Sequence, residues 1–166
     1  MIKFNSFSIF TFNDKIINNL MTLSSHNSKL DQDILVILSD LNELPKVEKF
    51  SQNVAKKASL NDDKSENVAI VLTELVNNAI LHGNKKRPEK KVTLKATYYD
   101  DRVVLSVKDE GNGFDPSTLR DPTDPENIWK DNGRGIFLVK HLLDNVEFHP
   151  SPTGMEIVVT AFKNNH

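Results

Sequence analysis

The sequence of 166 residues contains no cysteine, a single tryptophan and only six glycines. Without cysteine, the chain can form neither disulfides nor thiolate metal sites, and a cysteine nucleophile is excluded. No apolar run approaches the length of a membrane span. The net charge of -2, with both signs interspersed, disfavours a general nucleic-acid binder. We therefore expect a globular protein of the cytoplasm, with neither a membrane nor a nucleic acid as a direct partner.

The first 32 residues differ in composition from the rest of the chain, since they hold four of the nine phenylalanines and many Asn and Ser residues. We expect residues 1–32 to form a poorly ordered N-terminal extension. An edge strand or helix that docks on the domain or on a partner is the alternative. Residues 33–166 are expected to form one domain with a normal buried core.

Apolar residues recur every three to four positions in three stretches, which predicts three amphipathic helices. The first is expected to begin at Pro45, the second after an N-cap at Asn61, and the third after Gly133. The second helix should end near Gly83, because glycine is a common helix terminator.

Five stretches are predicted to be strands, at residues 34–38, 92–98, 103–107, 146–148 and 155–162. The first is a continuous apolar run, which predicts a buried strand, whereas the second and third alternate and predict an antiparallel hairpin. Helices and strand pairs in this order predict an α+β fold. In this two-layer sandwich, helices pack on one face of a mostly antiparallel sheet.

Glu74 and Asn78 lie four residues apart on the second predicted helix, so their side chains stack on one face. A solvated helix face explains this pair as well as a functional site does. In the functional interpretation, Asn78 gives its carbonyl oxygen to Mg²⁺ and Glu74 orients or deprotonates a nucleophile. Mg²⁺ suits the pair because it takes oxygen ligands and shares its shell with waters and substrate phosphates.

The segment DEGNGFD begins with Asp109 at the end of a predicted strand. Gly111 and Gly113 permit close backbone approach, so Asp109 can project into a cavity. A buried carboxylate needs hydrogen-bond donors, and the exocyclic amine of adenine would supply one. Taken alone, however, this segment is better explained as an ordinary glycine-rich turn.

The segment Gly133-Arg134-Gly135 opens the third predicted helix. The N–H groups and the dipole of a helix N-terminus favour an anion, so a phosphate can bind there, and Arg134 would add a charge-assisted contact. The alternative is that Arg134 is a surface arginine on a lid. The long segment 116–132 before it contains three prolines and many acidic residues, which is typical of a lid.

Taken in order, the segments ELVNNAILHG, DEGNGFD and GRGIFLV resemble the three nucleotide-binding motifs of the GHKL ATPases, the superfamily of histidine-kinase catalytic domains and gyrase B. The resemblance covers roughly residues 34–162. Within the superfamily, the sequence is most similar to the anti-sigma factor serine/threonine kinases, with which it shares TELVNNAI-x-HG and a lid that ends in GRG-x-FL.

The resemblance implies ATP and Mg²⁺ as cofactors and a role for each matching residue. Asn78 would bind Mg²⁺, Glu74 would be the catalytic base, Asp109, Gly111 and Gly113 would hold adenine, and Gly133, Arg134 and Gly135 would contact the phosphates. In one respect the chain departs from the family. Many GHKL proteins place a threonine that reaches adenine through a water directly after the glycine of the last strand, whereas here Met155 follows Gly154.

The leading hypothesis is an ATP- and Mg²⁺-dependent serine/threonine protein kinase that phosphorylates a STAS-domain antagonist and binds a sigma factor or another regulator. A second copy of the chain, in a homodimer, is a further candidate partner. Two alternatives use the same site. One is a regulatory module that binds ATP without transferring phosphate, and the other is a stand-alone histidine-kinase-like ATPase domain.

Overall fold

A computed structural model describes residues 29–112 and 134–163 of the chain. Within these residues the strands are β1 (Asp31–Leu38), β2 (Lys91–Tyr98), β3 (Arg102–Asp109), β4 (Asn145–Ser151) and β5 (Gly154–Phe162). The α-helices are α1 (Leu44–Ala58), α2 (Asp62–Asn78) and α3 (Arg134–Leu142). A short 3-10 turn, Leu41–Glu43, precedes α1, and a π-helical turn, Ala79–Gly83, follows α2.

The five strands form one sheet in the order β1-β2-β3-β5-β4, and each neighbouring pair is antiparallel. The helices cover one face of this sheet, and α2 packs between α1 and α3. The core fills the space between the layers, and its strand residues include Val92, Leu94, Ala96, Val103, Leu105, Val107, Ile157 and Val159. The predicted α+β two-layer sandwich is therefore confirmed.

Local sequence signals explain where the helices begin. Pro45 lies in the first turn of α1, where its missing N–H costs nothing. The Asn61 side chain accepts a hydrogen bond of 2.9 Å from the N–H of Lys64, which confirms the predicted N-cap of α2. Asp62 and Asp63 in the first turn are favourable at the positive end of the helix dipole.

Strand β1 differs from the buried strand that the apolar run 34–38 predicts. It lies at the edge of the described sheet and pairs only with β2 there. Ile37 is buried, but Ile34, Val36 and Leu38 are 59%, 51% and 50% exposed. The reason is that helices cover only one face of the sheet, so alternate side chains of β1 point away from them.

The predicted N-terminal extension falls almost entirely outside the described residues, and its order stays a prediction. Strand β1 begins at Asp31, two residues before the predicted domain boundary at residue 33.

Among the described helices, none combines the length and the apolar character needed to cross a membrane.

Candidate functional site

Asp109 is the last residue of strand β3. Its side chain lies on the face that packs against the helices, the same face as that of the buried Val107 two residues earlier. Asp109 is buried, with 6% of the residue exposed. The Oδ1 atom accepts hydrogen bonds from the N–H groups of Gly111, at 2.7 Å, and Met155, at 3.2 Å. Within the described residues Oδ2 accepts no hydrogen bond.

Three glycines from separate segments close around Asp109. A Cβ atom at Gly83 would lie 2.4 Å from the Oδ2 atom of Asp109, and one at Gly111 would lie 2.3 Å from the carbonyl oxygen of Gly83. At Gly154, whose φ is +137°, a Cβ would lie 2.0 Å from the carbonyl oxygen of Asp109. The carboxylate is therefore surrounded by bare backbone, as the sequence predicts for Gly111.

Glu74 and Asn78 are both partly buried on α2, and the first turn of α3 lies against them. A Cβ atom at Gly135 would be 2.7 Å from Glu74 Oε2 and 3.2 Å from Asn78 Nδ2. The same glycine therefore contacts both side chains, which places them on one face of α2. The structure thus brings together three of the predicted site residues, and the N-terminus of a helix lies beside Glu74 and Asn78.

The π-helical turn joins the two halves of the site. It begins directly after Asn78 and ends at Gly83, which lies on the Asp109 carboxylate. The N–H of Asn84 closes the turn by donating to the carbonyl oxygen of Ala79 at 2.7 Å. Asn78 and Gly83 are only five residues apart along this turn, which keeps the two halves of the site close together. Such turns are frequent at functional sites.

Not every predicted site residue lies within the described part of the chain. Gly113, Gly133 and the predicted lid at 116–132 fall outside it, and so does the side chain of Arg134. In the described ranges there is no cluster of three or more His, Asp or Glu side chains that could hold a metal ion.

The residues around Gly135 nevertheless fit Mg²⁺. Glu74 carries a carboxylate and Asn78 a carboxamide, and the oxygens of both groups are hard donors of the kind that this ion takes. Few protein ligands are needed, because Mg²⁺ usually keeps several waters and completes its shell with substrate phosphates.

Sequence reasoning missed Asn84, whose side chain is buried beside this site. Its Oδ1 atom accepts a hydrogen bond of 2.8 Å from the N–H of Glu110, and its Nδ2 atom donates to the carbonyl oxygen of Lys91 at 2.9 Å. The only signal in the sequence is an asparagine directly after a helix-ending glycine, which is typical of any turn.

Comparison with known proteins identifies the family. The family model described as a histidine kinase-like ATPase domain matches residues 37–161 of the chain. The chain belongs to this family. The match confirms the resemblance to GHKL ATPases that the three motifs predict.

Curated relatives in this family are serine-protein kinases. RsbW of Listeria monocytogenes serovar 1/2a, a serine-protein kinase, is 26% identical over 117 residues, which are 67% of this chain and 74% of that protein. The serine-protein kinase RsbW of Staphylococcus epidermidis is 34% identical over 100 residues, 56% of this chain and 63% of that protein.

Solved structures show the same fold. The RsbU and RsbW domains of a Mycobacterium tuberculosis protein align with a TM-score of 0.58 at 14% identity, over 80% of this chain and 32% of that one. The catalytic domain of the histidine kinase ThkA aligns with a TM-score of 0.51 at 16% identity, over 81% of this chain and 99% of that one.

Within this histidine kinase-like domain, Met155 stands where many GHKL proteins have threonine. Met155 is 1% exposed, and it reaches Asp109 through its backbone N–H rather than through its side chain. Thr160 cannot replace the missing hydroxyl, because it lies an odd number of residues further along β5 and therefore on the opposite face. Recognition of an adenine at this position would rest mainly on Asp109.

Proposed function

We propose that the protein is an ATP- and Mg²⁺-dependent serine/threonine protein kinase that phosphorylates a STAS-domain antagonist and binds a sigma factor or another regulator. The observation that carries this proposal is the contact of Gly135 with both Glu74 and Asn78. It places a carboxylate, a carboxamide and a helix N-terminus at one point, next to the helical turn that leads to Asp109.

In this proposal Asp109 recognises the base of ATP. Its Oδ1 atom is held by two backbone N–H groups, so Oδ2 is fixed in place and can accept a hydrogen bond from the exocyclic amine of adenine. The glycines let the backbone pack directly against this carboxylate, with no side chain between them. Membership of an ATPase family supports ATP as the nucleotide.

Phosphoryl transfer is assigned to the Gly135 end of the site. Asn78 would hold Mg²⁺ through its amide oxygen, and the bound ion would neutralise charge on the phosphates. Glu74 would accept the proton of the substrate hydroxyl, since it is a carboxylate beside the proposed phosphate position. The N–H groups at the start of α3 would bind phosphate oxygens, as would Gly133, Gly135 and Arg134 in the predicted motif.

The macromolecular partners are proposed from the relatives. The relatives named serine-protein kinase RsbW support a protein serine as the acceptor. The resemblance to anti-sigma factor kinases supports a STAS-domain protein as the substrate and a sigma factor or another regulator as the bound target. A homodimer stays a prediction, as does a cytoplasmic location.

The test is calorimetry of ATP binding with and without Mg²⁺, followed on the same sample by transfer of labelled γ-phosphate to a co-encoded STAS-domain protein. We expect binding that depends on Mg²⁺ and a labelled serine. Binding without transfer would favour the regulatory module that holds ATP without chemistry. A protein that binds no ATP would refute the proposal.

A Glu74→Gln variant tests the role of the base. We expect it to bind ATP like the wild type and to lose phosphotransfer by about 10²- to 10⁴-fold, the usual contribution of a general base. Glu66→Gln is the matched control, because Glu66 lies two turns earlier on α2 and is exposed. Phosphotransfer at the wild-type rate in Glu74→Gln would show that Glu74 is not the catalytic base.

The Asn78→Ala variant, by contrast, should lose the Mg²⁺-dependent part of ATP binding.

A further inference from the structure

Asn84 is the most deeply buried polar side chain near the site, at 1% exposure, and the proposed chemistry does not use it. It connects three segments of the chain. Its backbone N–H closes the π-helical turn on Ala79, its Nδ2 atom donates to Lys91 at the start of β2, and its Oδ1 atom accepts from Glu110. Asn84 therefore joins the helix end beside Asn78 to the start of β2 and to the loop that begins at Asp109.

The bond to Glu110 acts on the peptide unit that follows Asp109. This unit consists of the carbonyl group of Asp109 and the N–H of Glu110. Asn84 holds the N–H at 2.8 Å, while the carbonyl oxygen packs on Gly154, where a Cβ would be only 2.0 Å away. Contacts on both sides therefore fix the orientation of this peptide. That orientation in turn determines the direction in which the Asp109 side chain leaves the backbone.

Glu110 strengthens the same connection from its side chain. Its Oε2 atom accepts a hydrogen bond of 2.8 Å from the N–H of Lys91, and its carbonyl oxygen accepts one from Lys90 Nζ. These contacts are exposed, whereas those of Asn84 are shielded from water. Because a shielded hydrogen bond has no water to replace it, the Asn84 contact should dominate the alignment.

We propose that Asn84 is a positioning residue for base recognition, which holds the Asp109–Glu110 peptide so that Asp109 Oδ2 faces the exocyclic amine of adenine. The inference rests on the proposed ATP site. A purely structural role for Asn84 predicts a loss of stability that weakens every nucleotide equally. A positioning role predicts a selective loss for nucleotides that carry the amine, and this difference can be measured.

The experiment compares ATP with purine riboside 5′-triphosphate, which lacks the exocyclic amine but keeps the ring and the phosphates. Dissociation constants are measured by calorimetry in Mg²⁺ for wild type and Asn84→Ala. We expect the wild type to prefer ATP. In Asn84→Ala the ATP constant should rise about tenfold, as for loss of one well-aligned hydrogen bond, and the analogue constant should stay nearly unchanged.

Tyr98→Phe is the matched control for lost stability. The Tyr98 hydroxyl donates a part-buried hydrogen bond of 2.7 Å to Asp33 Oδ2, at the other end of β2. Seven residues separate Tyr98 from Lys91, or about 23 Å of strand. This variant should lower the thermal midpoint and leave both dissociation constants and their ratio unchanged.

Equal weakening of both nucleotides in Asn84→Ala, or no weakening of either, would overturn the positioning role while the proposed function stands. A wild type that binds neither nucleotide would overturn the proposed function and this inference with it. Should Asn84→Ala fail to fold, Asn84→Ser takes its place. Its side chain is too short to span both contacts but can hold a water, and the same selective loss of ATP is expected.

Discussion

The two ends of strand β2 hold polar clusters of opposite kinds. At the Tyr98 end, Lys57 Nζ lies 2.7 Å from Asp31 and 2.9 Å from Asp33, and the Tyr98 hydroxyl donates to Asp33. At the Lys91 end, Asp109 bonds only to backbone N–H groups within the described residues, and none of the ion pairs there includes it.

This difference separates a stabilising cluster from a ligand site. Lys57 and Tyr98 donate to Asp33, and these hydrogen bonds hold the pKa of that carboxyl below its ordinary value of 3.8. Burial, followed by the hydrogen bond to Asp33, raises the pKa of Tyr98, so its hydroxyl remains a donor. Within the described residues no such cation contacts Asp109, and glycines lie against its carboxylate where side chains would otherwise pack. In the proposed function, a ligand supplies a further hydrogen-bond donor to this carboxylate.

Of these variants, Gly154→Ala is expected to have the largest effect on stability, because it disrupts the packing around Asp109. The new Cβ would overlap the Asp109 carbonyl oxygen at 2.0 Å, and alanine disfavours a φ of +137°. We expect the free energy of unfolding to fall by roughly 2–5 kcal/mol, measured by urea titration.

Gly135→Ala is the control, because the same added methyl group meets the ends of two side chains rather than backbone, Glu74 Oε2 at 2.7 Å and Asn78 Nδ2 at 3.2 Å. Its free energy of unfolding should change by less than about 1 kcal/mol. Equal losses in the two variants would show that the Asp109 surroundings are not tightly constrained.

Asp109→Asn should have the next largest effect, and it should affect binding rather than folding. The Oδ1 acceptor is kept, so the two backbone hydrogen bonds survive. Loss of the charged acceptor for adenine should raise the ATP dissociation constant about 10- to 100-fold, measured by calorimetry. Asp33→Asn removes a charge at the other end of β2 and should leave ATP affinity unchanged. Similar losses in both variants would contradict the distinction between the two ends.

The smallest effect concerns the acid stability of the Tyr98 end. Because the pKa values of Asp31 and Asp33 are lowered in the folded protein, their pairing stabilises the fold above their ordinary value of 3.8. That contribution is lost as the pH falls through the lowered values. The Lys57→Met variant should therefore be less stable than wild type near neutral pH, but only slightly, since the ion pairs of Lys57 are exposed. The difference should vanish below the lowered values.

Urea titrations across this pH range provide the measurement. Lys49→Met is the control, since Lys49 is an exposed lysine of the same helix for which no ion pair occurs in the described residues. A difference between wild type and Lys57→Met that persists in strong acid would exclude ion pairing as its source and leave packing on the Tyr98 ring.

Local patterns were sufficient to predict most of the fold. The helices follow from apolar residues at helical spacing, the N-cap at Asn61 follows from its side-chain chemistry, and the hairpin of β2 and β3 follows from strict alternation. Strand β1 was placed correctly but assigned the wrong environment. A continuous apolar run does not show whether one or both faces are covered, and this depends on where the helices lie.

The candidate site could be predicted from the sequence less completely than the fold. The pairing of Glu74 with Asn78 follows from helix geometry, and the structure places Gly135 on both. The role of Asn84 could not be predicted, because its two side-chain partners lie 7 and 26 residues away and no local spacing indicates them. The π-helical turn could not be predicted either, since a glycine at the end of a helix is compatible with several kinds of helix termination.

The π-helical turn also has a consequence for how this segment can change. Each residue of a helix rotates the chain by about 100°, so removing one residue between Asn78 and Gly83 would turn Gly83 away from the Asp109 carboxylate. A substitution within the turn leaves that rotation intact. Apart from Gly83, which must lack a side chain, the length of the segment Ala79–Gly83 therefore sets the alignment between the helix and the loop that begins at Asp109. Insertions and deletions there should be less tolerated than exchanges of the side chains before Gly83.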